Sequence, residues 1–214
     1  MKKIAALLVP LILIGMFSFG TAAKTRTINV YNWGEYIPDG SDGSLNINEL
    51  FTEKTGIEVN YVTFASNEEM YAKLASGGVS YDVVIPSDYM IERMIKENML
   101  QKLDFDNIPN YQYIVDRYKS LAYDPDNAYS VPYTVGLVGI IYNTTVVTET
   151  PASWDLLWNE KYSDQILMFD NSRDAFAAAQ FLLGYDVNTT DVNELNAVAQ
   201  KLKEQKSLVR KYVM

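Results

Sequence analysis

The sequence predicts an α/β protein with largely parallel strands, arranged as two blocks joined by one long extended segment. Three observations carry that reading. From Thr27 onward, short β-rich runs alternate with runs of helical character. Capping residues stand where the helices should start, and Gly56 and the Gly77-Gly78 pair stand where two of them should stop. The run Tyr81 to Pro86 is short and nearly all apolar, as a strand buried on both faces of a parallel sheet should be.

Taken in order, Thr27 to Trp33 reads as a first strand. Asn46 to Thr55 reads as a helix closed by Gly56, and Ile57 to Phe64 as a second strand. Ser66 with Glu69 three residues on forms a capping box, and its helix runs to the Gly77-Gly78 break. Tyr81 to Pro86 is the third strand, Ser87 starts the next turn, and Tyr89 to Asn98 is amphipathic. Leu103 to Asn127, rich in Asp, Asn, Pro and Tyr, reads as loops with one short helix. Tyr129 to Tyr133 and Gly136 to Asn143 read as two further strands.

A second α/β pattern begins after Pro151. Ser153 is expected to cap a helix carrying Trp154 and Trp158, and Gln165 to Phe169 reads as a strand. Ser172 opens a helix through Leu183, and Asp191 with Glu194 opens another through Lys203. Leu208 to Met214 reads as a strand with no evident partner. One convincing strand and three helices cannot cover both faces of a parallel sheet, so the second block reads as incomplete. The expected organisation is a signal peptide at 1–23, a first lobe at 24–134, and a crossing segment with a partial second lobe at 135–214.

The N-terminus carries its own signal. Lys2 and Lys3 precede an apolar run from Ile4 to Phe19, followed by Gly20, Thr21, Ala22 and Ala23. That order is a secretory leader, with cleavage expected after Ala23. The run contains Pro10 and is shorter than the roughly 20 residues a spanning helix needs. Export to the periplasm or the outer face of a bacterial membrane follows, and the absence of cysteine excludes lipoprotein processing. Removing the leader takes the basic count from 18 to 16 against 27 acids, a formal charge of −11. Such a chain repels nucleic acid and anionic lipid and suits a cationic ligand.

Zero cysteine and zero histidine exclude disulfides, a Cys nucleophile, a Ser–His–Asp triad and histidine-ligated metal. No cofactor or metal is called for. Catalysis by a carboxylate pair remains open on paper.

Ligand sites of α/β folds lie where strands give way to loops. Three such places stand out: Tyr31-Asn32-Trp33-Gly34-Glu35-Tyr36, Pro86-Ser87-Asp88-Tyr89, and Phe169-Asp170-Asn171-Ser172-Arg173-Asp174. As residues alone, Trp33 and Tyr36 equally suit a core or a rim, and Glu35 and Asp174 a solvated surface. Ser87 equally suits a helix cap, Arg173 a loop-holding ion pair, and Trp154 with Trp158 a helix core.

Six phrases in order resemble the spermidine/putrescine-binding proteins of ABC importers: Tyr31 to Tyr36, Ser66 to Tyr71, Tyr81 to Tyr89, Tyr129 to Tyr133, Trp154 to Trp158, and Asp170 to Asp174. The resemblance covers nearly everything from Thr27 onward. It implies a type II periplasmic-binding fold, two lobes around a cleft with chain crossings between them, acting as a monomer that hands a polyamine to a membrane permease. It also implies that roughly the last third of the family's chain, with further cleft aromatics and acids, has no counterpart here. The cleft should then be unfinished, apolar surface exposed, and binding weaker than in a complete relative.

Carried over residue by residue, the resemblance makes Trp33 and Tyr36 cleft aromatics and Glu35 an acid near one terminal amine. Ser87 and Tyr89 offer hydroxyl oxygens, with the Tyr89 ring against the ligand chain, and Asn171 and Asp174 face them from the second lobe. Family members carry an acid where Asn171 stands, a glutamate where Asp174 stands and a hydroxyl residue where Gly34 stands, which leaves spermidine versus putrescine open. The pattern suits the ligand. A carboxylate gains about 4 kcal/mol from an ammonium at 4 Å in an effective dielectric of 20, before desolvation. An aromatic face adds roughly 0.5 to 2 kcal/mol and covers methylenes. The competing readings are a binding protein for another cation or a small organic anion, and a carboxylate-pair hydrolase. An anion site would want basic residues, and the three loops hold only Arg173.

Overall fold

The computed structural model describes residues 26–150 and 153–213. The leader at 1–23 and its cleavage point lie outside the described residues. Two separate parallel sheets form, one in each predicted block.

The first sheet has the order β2-β1-β3, with β1 at Arg26–Trp33, β2 at Ile57–Phe64 and β3 at Val83–Val84. β1 is central, so its Tyr31 and Asn32, which point to opposite faces, are both buried. The helix α1 at Ile47–Thr55 is capped by Asn46, whose side chain accepts from Glu49 N–H, and ends at Gly56 in the left-handed region at φ +69. The helix α2 at Asn67–Ala75 starts at Ser66, whose hydroxyl accepts from Glu69 N–H. The Glu69 carboxylate reaches back to Ala65 N–H, one residue before the cap. The helix α3 at Asp88–Lys96 buries Met90 and Met94, four apart on one face. These two methionines, Met70, Tyr31 and Phe64 form the first core.

β3 is shorter than the predicted Tyr81 to Pro86, although Asp82 N–H and Ile85 N–H extend the ladder onto β1 carbonyls. Residues 105–118 hold three short 3-10 turns rather than one helix. The two strands predicted at 129–133 and 136–143 do not form. Leu137 and Ile141 are fully exposed, and no strand lies beside them among the described residues. β-branched composition favours an extended chain, but a strand exists only where a neighbour takes its N–H and C=O groups.

In the second block, β4 at Ile166–Phe169 pairs in parallel with β5 at Val209–Val213. This corrects the expectation that the last run has no partner. The pairing joins segments 40 residues apart across α4 at Ser172–Leu183 and α5 at Val192–Gln205. The predicted Trp154–Trp158 helix is a 3-10 turn, with Ser153 accepting from Asp155 N–H. Trp154 and Trp158 are half-buried, and Trp154 packs against the core formed by Met168, Ala175 and Ala178. Trp158 donates its indole N–H to the Lys201 carbonyl at 2.9 Å, and Trp154 stacks on Phe181 at 5.7 Å. Only one face of this sheet is covered, for Ile166 and Met168 are buried while Leu167 between them is 56% exposed.

Candidate functional site

The parallel pairing brings the C-terminal ends of β1, β2 and β3 to one edge of the first sheet. At the end of β1, Asn32 is buried and its side-chain oxygen accepts from Trp33 N–H at 2.7 Å. The Trp33 ring leans on Phe64 at 4.6 Å, its register partner on β2. Tyr36 lies 6.0 Å further out and Tyr133 another 6.2 Å beyond it. The Tyr133 hydroxyl donates to the Tyr36 carbonyl at 2.7 Å. The result is a row of three rings rising from the core to the surface. Glu35, between Trp33 and Tyr36, is exposed and holds φ +58, a left-handed conformation that costs a non-glycine residue about 1 kcal/mol.

At the ends of β2 and β3 the groups are tied to one another. Asn67, fully buried, donates both amide protons, to Ser87 Oγ at 3.0 Å and to Tyr89 Oη at 2.9 Å, and accepts from Ser87 N–H at 3.0 Å. Tyr89 in turn donates to Glu68 Oε1 at 3.0 Å. Burial pushes the Tyr89 phenol up to about 12, and the Glu68 carboxylate adds to the rise while the Asn67 donation opposes it.

The second block approaches this wall from β4. Asn171 is buried, and its side-chain oxygen accepts from Arg173 N–H at 2.9 Å, capping α4. The sequence places the helix start at Ser172; the cap is the residue before it. Arg173 lays its guanidinium over the Tyr89 ring, 3.8 Å from the centroid, and forms no ion pair among the described residues. The expected ion pair is thus replaced by a cation–π contact, which joins the two blocks. Asp174 is partly buried and close enough to Glu68 to be affected by its charge. Desolvation first, and the Glu68 charge second, raise its carboxyl above the usual carboxylate value.

Trp33, Glu35 and Tyr36 therefore form one cluster, and Ser87, Tyr89, Arg173 and Asp174 another, both at the strand-end edge. Tyr89 does not present a free ring and a free hydroxyl as expected: Arg173 takes one and Asn67 with Glu68 the other. Asn171 is committed to its helix. Sequence reasoning passed over Asn67, Glu68 and Tyr133, although all three lie in quoted phrases. Asn67 and Glu68 follow β2, where the strand-end rule would have found them had it been applied to that strand. Gly34 faces open space, since a Cβ there meets nothing within 4 Å. A depression of about 390 Å³ lies along α3, against Tyr89 and Arg173, and does not include the row of rings. Its Arg93 and Lys96 already pair with Glu97 and Glu92. No group of acids with metal-ligand geometry occurs among the described residues.

Comparison with known proteins places these features. Residues 80–213, more than half of the chain, match the family described as bacterial extracellular solute-binding protein, and the chain belongs to that family. The spermidine/putrescine-binding periplasmic protein of Salmonella typhimurium is 39% identical over 193 residues, covering 89% of this chain and 53% of that protein. The putrescine-binding periplasmic protein of Pseudomonas aeruginosa is 34% identical over 215 residues, covering 94% and 57%. Among solved structures, a spermidine/putrescine ABC transporter substrate-binding protein of Streptococcus pneumoniae is 38% identical with a TM-score of 0.67, covering 88% and 56%. A lipoprotein of Treponema pallidum is 33% identical with a TM-score of 0.78, covering 87% and 57%. The likeness gives the chain the type II periplasmic-binding fold that the resemblance implies. The chain spans about half the length of the curated relatives it matches, a smaller share than the two thirds the resemblance implied.

Proposed function

We propose that this solute-binding chain acts as a monomer outside the cytoplasm, binds spermidine or putrescine, and hands it to an ABC permease. The observation that carries the reading is the row formed by Trp33, Tyr36 and Tyr133, with the exposed Glu35 on the chain between the first two. Aromatic faces cover the methylenes of a polyamine and attract its ammonium groups, each face contributing roughly 0.5 to 2 kcal/mol. Glu68 and Asp174, two acids from different blocks that lie within electrostatic reach of each other, supply the second anionic end. An ammonium placed between them would relieve their repulsion and favour the charged form of Asp174, so binding couples to closure of one block on the other. The names of the relatives support the same ligand class. Among the described residues no helix is long and apolar enough to cross a membrane.

Isothermal titration of the chain with spermidine and with putrescine tests the assignment. Saturable heat with either supports it, and silence toward both, with protein and polyamine concentrated enough to detect millimolar binding, overturns it. Glu35→Gln should weaken binding about tenfold, close to 1.4 kcal/mol.

A further inference from the structure

Asn67 touches no open space, yet it decides how two hydroxyls of the candidate site are presented. Its amide orientation is fixed by geometry. Ser87 N–H is an obligatory donor at 3.0 Å, so the atom facing it must be the side-chain oxygen, and the NH2 group must face Ser87 Oγ and Tyr89 Oη. Both amide protons are thereby committed. Ser87 Oγ and Tyr89 Oη are acceptors toward Asn67, and their own protons point elsewhere. The Tyr89 proton goes to Glu68 Oε1 at 3.0 Å.

Ser87 shows the consequence. It stands at the N-cap of α3, where a serine oxygen ordinarily accepts a helix N–H, a bond typically worth about 1 kcal/mol. Here it makes no such bond, because the oxygen is turned to Asn67. The helix start gives up a cap, and the hydroxyl keeps a proton and a lone pair free of the helix.

We infer that Asn67 is a positioning residue of the ligand site. It ties Ser87, Tyr89 and Glu68 into one network of hydrogen bonds, running from amide to phenol to carboxylate with Ser87 as a branch, and so fixes where the Glu68 carboxylate stands. Hydrogen bonds in such a chain polarise one another, so the carboxylate end depends on the amide end. The inference rests on the polyamine-binding reading. It adds that selectivity for a cation depends on a buried neutral residue outside ligand contact.

Asn67→Asp tests it, because the side chain keeps its shape and loses its donors. Ser87 and Tyr89 must then turn their protons inward, and Tyr89 must release Glu68. Two readouts are taken on the full chain: the 13Cζ signal of labelled Tyr89 without ligand, and spermidine affinity by calorimetry in wild type, Asn67→Asp, Ser87→Ala/Tyr89→Phe and the triple variant. The expected result is a displaced Tyr89 signal, an affinity loss of at least tenfold in Asn67→Asp, and no further loss when it is added to Ser87→Ala/Tyr89→Phe. An unmoved Tyr89 signal, or the same loss in both backgrounds, overturns the inference. Asn67→Ser, which retains one donor, is run in parallel so that the cycle stays readable if Asn67→Asp does not fold. A wild-type chain silent toward both polyamines overturns the underlying reading, while the Tyr89 signal, taken without ligand, decides the hydroxyl assignment by itself.

Discussion

The two parallel sheets differ in what their strand ends hold. The first has a central strand buried on both faces, and its three strand ends sit side by side, so that Trp33, Asn67 and Ser87 are anchored by packing or by hydrogen bonds. The second has two strands with one covered face, and β4 delivers Asn171 and Asp174 on one helix start. Among the described residues, only the Asn171 side chain of those two has a hydrogen-bond partner. A site wall is rigid when neighbouring parallel strands end together, because each loop can then bond the next. The end of β4 has one neighbour, β5, and leaves its acid desolvated and next to a like charge.

The sharpest way to break this comparison is to remove an aromatic ring from each block. Trp33→Ala should lower stability by about 3 kcal/mol, since the ring bridges Phe64 and Tyr36. It should also abolish measurable polyamine heat. Phe181→Ala, which removes an exposed ring stacked on Trp154, should cost about 1 kcal/mol and leave affinity unchanged. Equal costs in urea melts would show that the blocks are equally well built.

Asp174 gives the next largest effect. Its folded-state carboxyl lies above the ordinary 3.8, so the folded chain holds that proton more tightly than the unfolded one. Stability from this group is therefore present at low pH and falls as pH rises from about 3.8 through the raised value, with the deficit persisting above. Asp174→Asn should make the ligand-free chain more stable at pH 7 and equal to wild type near about pH 3, while weakening spermidine binding about tenfold. A variant less stable at pH 7 would mean that Asp174 has a partner which offsets its burial.

The smallest effect sharpens the comparison from the better-built side. Gly34 lies outside the left-handed region with open space at its Cβ. Gly34→Thr should raise stability by about 0.5 kcal/mol and tighten polyamine binding a few-fold through the added hydroxyl. Weaker binding would show that the loop needs glycine's freedom next to the left-handed Glu35.

Local signals were legible to the residue. Ile57–Phe64 and Ser172–Leu183 have the predicted bounds, Ser66 accepts from Glu69 N–H as its capping box implies, and Asp191 caps its helix through Asn193 N–H rather than Glu194 N–H. Pairing was not legible in the same way. Val135, Leu137, Val138 and Ile141 have strand composition without a strand, while Val209–Val213 found a partner that the sequence order concealed. Strand-end logic located Trp33, Ser87 and Asp174, but Asn67 and Glu68 escaped because the first residues of a helix after a capping box read as helix.

The sequence by itself determined where the main helices and most strands lie, that histidine and cysteine chemistry is absent, and which strand ends carry aromatics and acids. These depend on neighbours three or four residues away and on composition. The tertiary structure alone decided that β5 joins β4, that Arg173 covers Tyr89, and that Asn67 holds Ser87 and Tyr89 together. Those contacts join residues from 20 to 84 positions apart. Whether two side chains meet at such separations depends on how the sheets are ordered and packed, which no local pattern encodes.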